Sequence, residues 1–327
     1  MKILVVFTGG TIGSCYNGNV ISTDSSTRYM LIEMYKQRGG KAEFDTISPY
    51  TLLSENLSGK HFSLLYNAIK ENINKNYDGI IVTHGTDTLQ YTSAMLSYMF
   101  GLCSTPIVLV SANYPLENEK SNGLDNFTSA VKFIESGKGK GVFVAYKNSG
   151  EPAKIHRGSR LQHHLAYDDN IYSIKNEYYG EITDTGFVEN NSYSEKSDEL
   201  VIEKMPISTA SSPVLKITPY VGMIYPDINK STKAILLESY HSGTINTAST
   251  ELEKFCNKAK ELEIPVFLTG SEAGFFYESK ELYQKLKINI LPPVSPVSAY
   301  IKLWLLCESN SEKLYDNFSK SLGGDIW

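Results

Sequence analysis

The stretch Val5-Val6-Phe7-Thr8-Gly9-Gly10-Thr11-Ile12-Gly13-Ser14 opens almost at the first residue as an apolar run and breaks into a turn rich in hydroxyls and glycine. Ile3 to Phe7 is continuous, β-branched and too short for a helix, so it reads as a buried strand. Glycines at 9, 10 and 13 let the backbone turn sharply and approach a ligand closely. Thr8 and Thr11 are then displayed at the strand's carboxyl end, where open α/β sheets bind small molecules. A phosphate-cradling loop is the competing reading, but the Walker lysine is absent and the dinucleotide spacing is not met.

Gly79-Ile80-Ile81-Val82-Thr83 is a second buried strand, and it runs into His84-Gly85-Thr86-Asp87-Thr88, again with hydroxyls at the carboxyl end. Taken alone, Thr-Asp-Thr at a helix start is an N-cap, because Asp and Thr satisfy free amides there. Two Gly/Thr clusters in one α/β chain ask for more than capping. Together Thr8-Gly9-Gly10-Thr11-Ile12 and His84-Gly85-Thr86-Asp87-Thr88 resemble the two signature motifs of the bacterial-type L-asparaginase family, and the resemblance runs through most of the chain.

The chain has 327 residues, long enough for two domains. A net charge of -5, without a basic patch, argues against nucleic-acid and anionic-membrane partners. The apolar part of Met1 to Phe7 is about five residues, too short for a signal peptide, and no run reaches the roughly twenty apolar residues of a membrane span. Cys15, Cys103, Cys256 and Cys307 lack metal-ligand or disulfide-framework spacing, which points to a reducing, cytoplasmic setting.

Taken in order, Tyr16-Asn17-Gly18-Asn19 reads as a short polar loop able to close over a site. The pattern then predicts a helix over 28–37, a strand over 43–48, a loop at Leu52 to Leu57, and a helix with Phe62, Leu65, Ile69 and Ile73 on one face. A helix over 91–100, a strand over 106–110, the loop Ser111-Ala112-Asn113-Tyr114-Pro115, a helix over 124–136 and a strand over 141–146 follow. This alternation implies an α/β fold: a larger amino-terminal, mostly parallel sheet with helices on both faces. The expected organisation is an amino-terminal catalytic domain over 1–189, a polar linker over 190–213, and a smaller carboxyl-terminal α/β domain over 214–327, with strands at 234–237 and 265–269 and helices at 250–262, 280–286 and from Val297.

Hydrolysing a carboxamide needs a nucleophile, a base to activate it, donors for the oxyanion and a proton for the departing ammonia. The resemblance implies Thr11 as nucleophile, with Thr86 and Asp87 in the other half of the machinery and Asp87 also holding the substrate's α-amino group. It implies Ser54 and Glu55 as the loop that grips the α-carboxylate and α-ammonium, Ala112 as the residue whose carbonyl holds the amide nitrogen, and Gly10 and Gly85 as backbone beside the substrate. Read by themselves, Ser54 and Glu55 are equally a helix-entry loop.

The chain also departs from the family's pattern. The family's lysine follows a segment that here reads Arg157-Gly158-Ser159-Arg160-Leu161-Gln162-His163, so histidine stands in its place. The first-loop tyrosine has no counterpart near Val20, and Tyr16 is its substitute. Ser239-Tyr240-His241-Ser242-Gly243-Thr244 occupies the place of Tyr-Gly-x-Gly-Asn, which makes Thr244 the substrate-contacting residue, and Val297 replaces an intersubunit glutamate.

The resulting expectation is a cytoplasmic amidohydrolase without cofactor or metal, a homodimer or homotetramer acting through Thr11 on asparagine or an asparagine-like amide. His163 is expected to relay a proton through Thr86, its pKa raised by Asp87. Two alternatives stand beside it: a hydrolase of a larger amide, such as a peptide or a biosynthetic intermediate, and a homologue that binds an amino acid without turning it over.

Overall fold

The computed structural model describes residues 1–17, 20–23, 27–271, 278–311 and 313–326, with backbone alone for 13–17, 20–23, 27 and 28. The chain begins with β1 (Lys2–Phe7), a hairpin of β2 (Ser14–Asn17) and β3 (Val20–Thr23), α1 (Thr27–Gln37), β4 (Glu43–Ile47) and α2 (Gly59–Lys70). It continues through β5 (Gly79–Thr83), α3 (Leu89–Phe100), β6 (Ile107–Val110), α4 (Gly123–Glu135) and β7 (Val142–Lys147). Three strands then follow without an intervening α-helix: β8 (Ala153–Arg157), β9 (Gly180–Thr183) and β10 (Gly186–Glu189).

These strands, the hairpin apart, form one eight-stranded sheet in the order β10-β9-β8-β7-β6-β5-β1-β4. The five from β4 to β7 are parallel, and β8, β9 and β10 extend the sheet antiparallel. Every residue from Ile3 to Phe7 is buried, as a strand covered on both faces requires. Period two sends Ile3, Val5 and Phe7 to the face packed by α1 and α4, and Leu4 and Val6 to the face packed by α2 and α3. Fully burying an aliphatic side chain of this kind stabilises the fold by about 1.5–3 kcal/mol.

No helix or strand forms between 190 and 213 among the described residues. Beyond it β11 (Val214–Ile217), β12 (Ala234–Glu238), α5 (Thr250–Glu261), β13 (Val266–Thr269), α6 (Ser279–Lys285) and β14 (Ile288–Ile290) build a second parallel sheet in the order β11-β12-β13-β14. The last helices are α7 (Pro296–Glu308) and α8 (Leu314–Phe318). Helix α7 packs on α3, and one apolar cluster holds Leu4, Val82, Leu236, Phe267 and Trp304 together, so the two sheets share a core through this helix.

The tail after α8 is fastened beneath the large sheet by buried polar groups. Arg160, wholly buried, donates from Nε to the Gly324 carbonyl at 2.7 Å and from Nη2 to the Ile326 carbonyl at 3.2 Å. Lys302 and Asp325 form an ion pair of 2.7 Å with neither side chain exposed. Burial lowers the pKa of Lys302 and raises that of Asp325, and each is the other's main compensation.

The loop expected at Tyr16 to Asn19 is a hairpin at its base: Ser14–Asn17 pairs with Val20–Thr23. In the sequence, Gly18-Asn19 between the two paired segments is the dipeptide that carries that signal. Residues 18 and 19 and the Tyr16 side chain lie outside the described residues. Among the described residues no helix is long and apolar enough to cross a membrane.

Candidate active site

The strand order places the site. From β1 the chain crosses to β4 on one side and then to β5 on the other, so the carboxyl ends of β1 and β5 flank the point where the winding reverses, the place where open α/β sheets leave a crevice. Thr8 to Thr11 and His84 to Asp87 leave the sheet there.

Glycine allows the two strand ends to touch. Gly10 has φ +78°, and a Cβ on it would fall on the backbone N and Cα of Gly85. A Cβ on Gly85 would in turn fall on the Ser54 side chain. Gly9, at φ +103°, lies as closely on Leu52. Two hydrogen bonds lace this side together: Leu52 N–H donates to the Thr8 carbonyl at 3.1 Å and Gly10 N–H to the Leu52 carbonyl at 3.2 Å. Three segments distant in sequence thus meet backbone to backbone, bringing Gly10, Gly85 and Ser54 together.

The hydroxyls around this meeting point divide by what they do. Thr8 Oγ1 donates to the Thr83 carbonyl at 2.6 Å and is buried, so it holds β1 to β5. Thr88 Oγ1 donates to the Ser54 carbonyl at 2.9 Å, and Ser54 Oγ donates to the Asp87 carboxylate at 3.3 Å. Thr88 makes no side-chain cap to α3. The Asp87-Thr88 pair therefore tethers the Ser54 loop, and Thr88 does not cap α3 through its side chain. Thr11 and Thr86 are different: both are half-buried, and among the described residues neither hydroxyl has a hydrogen-bond partner.

Asp87 is exposed, whereas a carboxylate enclosed around an ammonium would be buried. Glu55, beside the buried Ser54 in a short 3-10 turn, is exposed as well. Ala112 follows β6 fully buried, against Gly123 and Ile12, and its carbonyl accepts no hydrogen bond among the described residues.

His163 is exposed and stands edge-on to the Tyr91 ring, 6.4 Å between centroids. Tyr91 lies on the first turn of α3, just past Thr88, so His163 is near the second motif, yet no hydrogen bond joins it to Thr86 or Asp87 among the described residues. It lines a cavity of about 600 Å³ with Lys216, Glu238, Tyr240 and His241 at the carboxyl ends of β11 and β12. Its pKa is lowered, first by desolvation and then by Lys216, with Glu238 opposing. The expected upward shift from Asp87 is absent because the charges facing His163 come from the smaller sheet.

Thr244 lies in a turn beyond β12, its hydroxyl 2.9 Å from that of Ser242 and its carbonyl accepting from Tyr240 N–H. None of Thr11, Thr86, Asp87, Ser54 or Thr244 lines the His163 cavity. Val297 is buried in α7. Among the described residues no group of three His, Cys, Asp or Glu side chains is placed to hold a metal ion.

His84 holds the backbone of the second motif although its place in the sequence does not single it out. It is 2% exposed, with Nδ1 2.8 Å from the Gly85 carbonyl and Nε2 2.9 Å from Thr92 Oγ1, and burial pushes its pKa down to about 4. One signal does point to it: a histidine closing an all-apolar strand must satisfy two ring nitrogens inside the core.

Two threonines whose hydroxyls have no partner among the described residues, beside converging backbone at a switch point of the sheet, suit acyl chemistry on a small amide, the chemistry of an amidohydrolase of α/β fold. Comparison with known proteins carries this to a family. The profile described as "Asparaginase, N-terminal" matches residues 2–193, more than half of the chain, and the chain belongs to the asparaginase family. It is 27% identical over 343 residues to a glutamyl-tRNA(Gln) amidotransferase subunit of Methanosarcina mazei, covering 99% of this chain and 79% of that protein. To the L-asparaginase of Thermococcus kodakarensis it is 27% identical over 283 residues, 82% of this chain and 80% of that one. The thermostable L-asparaginase structure from T. kodakarensis superposes with a TM-score of 0.81 at 23% identity, over 100% of this chain and 99% of that chain. A probable cytoplasmic L-asparaginase from Campylobacter jejuni gives 0.75 at 21%, over 98% and 99%.

Proposed function

We propose that this protein hydrolyses the side-chain amide of asparagine, or of an asparagine-like compound, to the carboxylate and ammonia, with Thr11 as nucleophile. The observation that carries the reading is the contact of Gly10 with Gly85, which joins the strand ends that carry Thr11 and Thr86, two half-buried threonines whose hydroxyls have no hydrogen-bond partner among the described residues. In the first half-reaction the Thr11 oxygen attacks the carboxamide carbon, its proton passes to a base, and ammonia leaves with a proton, forming an ester. Water then attacks the ester carbon, the acid is released and the Thr11 hydroxyl is restored. Ser54 and Asp87, already joined, receive the α-carboxylate and α-ammonium, with Glu55 beside them, and the Ala112 carbonyl accepts from the amide nitrogen.

His163 is the proposed proton acceptor. Its lowered pKa leaves it neutral at pH 7, and the gap to Thr86 is filled by substrate or water in the working complex. Tyr16 is the proposed lid residue and Thr244 a proposed contact to the substrate. The cytoplasm is the proposed compartment.

Relatives that are subunits of glutamyl-tRNA(Gln) amidotransferase favour a second reading, in which glutamine is the amide and a partner takes the ammonia. Ammonia release from asparagine, glutamine, their D-forms and asparaginyl peptides separates the readings. Asparagine as the best substrate supports the first, glutamine the second, and a peptide the larger-amide alternative. Release from none of them contradicts hydrolysis.

A further inference from the structure

We propose that His84 is a positioning residue for this chemistry, pinning the Gly85–Thr86 peptide so that the Thr86 N–H is aimed into the crevice before substrate arrives. The inference rests on the amide-hydrolysis reading and adds to it a residue that touches no substrate. A backbone carbonyl only accepts, so the 2.8 Å contact with Gly85 O places the proton on Nδ1. Nε2 is then an acceptor, and the Thr92 hydroxyl donates to it at 2.9 Å. Thr92 is fully buried on α3, which makes the far end of this chain of bonds a rigid element.

A trans peptide carries its C=O and the following N–H in opposite directions. With the Gly85 carbonyl drawn to the buried imidazole, the Thr86 N–H is turned away from it, and among the described residues nothing accepts from that N–H. The preceding His84–Gly85 peptide is confined by Gly10, where a Cβ would meet the His84 carbonyl carbon at 2.7 Å and Gly85 Cα, the atom at which the Gly85–Thr86 peptide begins, at 2.5 Å. A buried, neutral ring with both nitrogens committed is unsuited to moving protons in turnover and well suited to holding a plane. A donor whose direction is set in advance needs no reorganisation when negative charge develops on the substrate oxygen.

The test compares His84→Leu, His84→Asn and Thr92→Val by kcat and KM on the amide the wild type turns over best. His84→Leu keeps bulk but loses the donor, and kcat should fall about a hundredfold with KM little changed. The Asn amide can donate to Gly85 O from near the place of Nδ1, so His84→Asn should regain most of that loss whatever its melting temperature. Thr92→Val leaves the Nδ1 donor in place and should cost less than His84→Leu. Wild-type kcat in His84→Leu, or His84→Asn no better than His84→Leu, overturns the proposal. If the wild type releases ammonia from no amide, the functional reading falls, and nitrogen-15 histidine spectra still decide on His84. A neutral ring protonated at Nδ1 from pH 5 to 7 is expected; protonation at Nε2, or an imidazolium at pH 6, overturns it.

Discussion

Lowering the pH from 7 to 4.5 probes two imidazoles that the fold keeps uncharged. His84 and His156 are almost wholly buried, and desolvation pushes their pKa values down to about 4 and about 3, against about 6.5 in an unfolded chain. His156 Nδ1 meets Ser173 Oγ at 2.8 Å while its Nε2 has no hydrogen-bond partner among the described residues, so none of these contacts favours the charged ring. Below pH 6.5 the unfolded chain binds more protons than the native one, so this contribution to stability is complete above 6.5 and is lost as the pH falls toward the native values. Each histidine costs about 1.4 kcal/mol per pH unit in that window, and at pH 4.5 the pair together costs about 5 kcal/mol. That is comparable with the whole stability of many domains, about 5–15 kcal/mol. Urea titrations from pH 4.5 to 7.5 of the wild type, His84→Asn and His156→Gln should show the slope of stability against pH falling by about 1.4 kcal/mol per unit for each histidine removed. An unchanged slope in both variants would mean that the native rings titrate normally and that burial does not govern them.

Four further outcomes follow from particular contacts. Gly10→Ala must hold a Cβ at positive φ against the Gly85 backbone, adding about 1–3 kcal/mol of strain and displacing the strand ends enough to cost about a hundredfold in turnover. Gly39→Ala, at φ +86° with nothing within 4 Å, should carry the strain alone and leave kcat intact; equal kcat in both variants would contradict the contact. Lys302→Met strands the buried Asp325 charge and should cost about 3–5 kcal/mol by thermal or urea unfolding, with much of it regained in Lys302→Met/Asp325→Leu. With His163 as acceptor, turnover should fall on the acid side with a midpoint below 6.5, moving up in Lys216→Met and down in Glu238→Gln; a midpoint indifferent to both removes His163 from the reaction. Self-association into a dimer or tetramer is expected, in keeping with Val221 at 95% and Ile224 at 78% exposure beyond β11, and light scattering that finds an active monomer at all concentrations refutes it.

The parallel half of the fold is legible in the sequence because β1, β5, β6 and β7 are apolar runs and a helix lies between each strand from β1 to β7 in chain order and the next of this parallel set, a local pattern. Strands β8 to β10 are not, because Ala153-Lys154-Ile155-His156-Arg157 and Gly186-Phe187-Val188-Glu189 carry too little apolar sequence to declare themselves, and their pairing comes from β7 and from one another. Val214–Ile217 is hidden by the polar stretch that runs into it. At the site, the glycines of the Gly/Thr clusters announce a close approach of the backbone, and what Gly10 and Gly85 approach in the structure is each other and Ser54. The partners of Asp87, Thr88 and His163 cannot be foreseen, since each is met across the fold: Ser54 for the first two, and Lys216 and Glu238 for the third. Arg157 and Arg160 stand out in the sequence only as markers of the segment before His163. They are buried structural cations, bonded to Lys140 and Glu195 and to the carboxyl-terminal tail.

The proposed role of Thr11 is tested most directly by acid-quenching the enzyme during turnover of its best amide and mapping the peptides by mass. An acyl ester is expected on the peptide that carries Thr11 and is absent in Thr11→Ala, a variant that binds the amide and releases no ammonia. Full ammonia release by Thr11→Ala, or an ester found on Thr86 in its place, would contradict it.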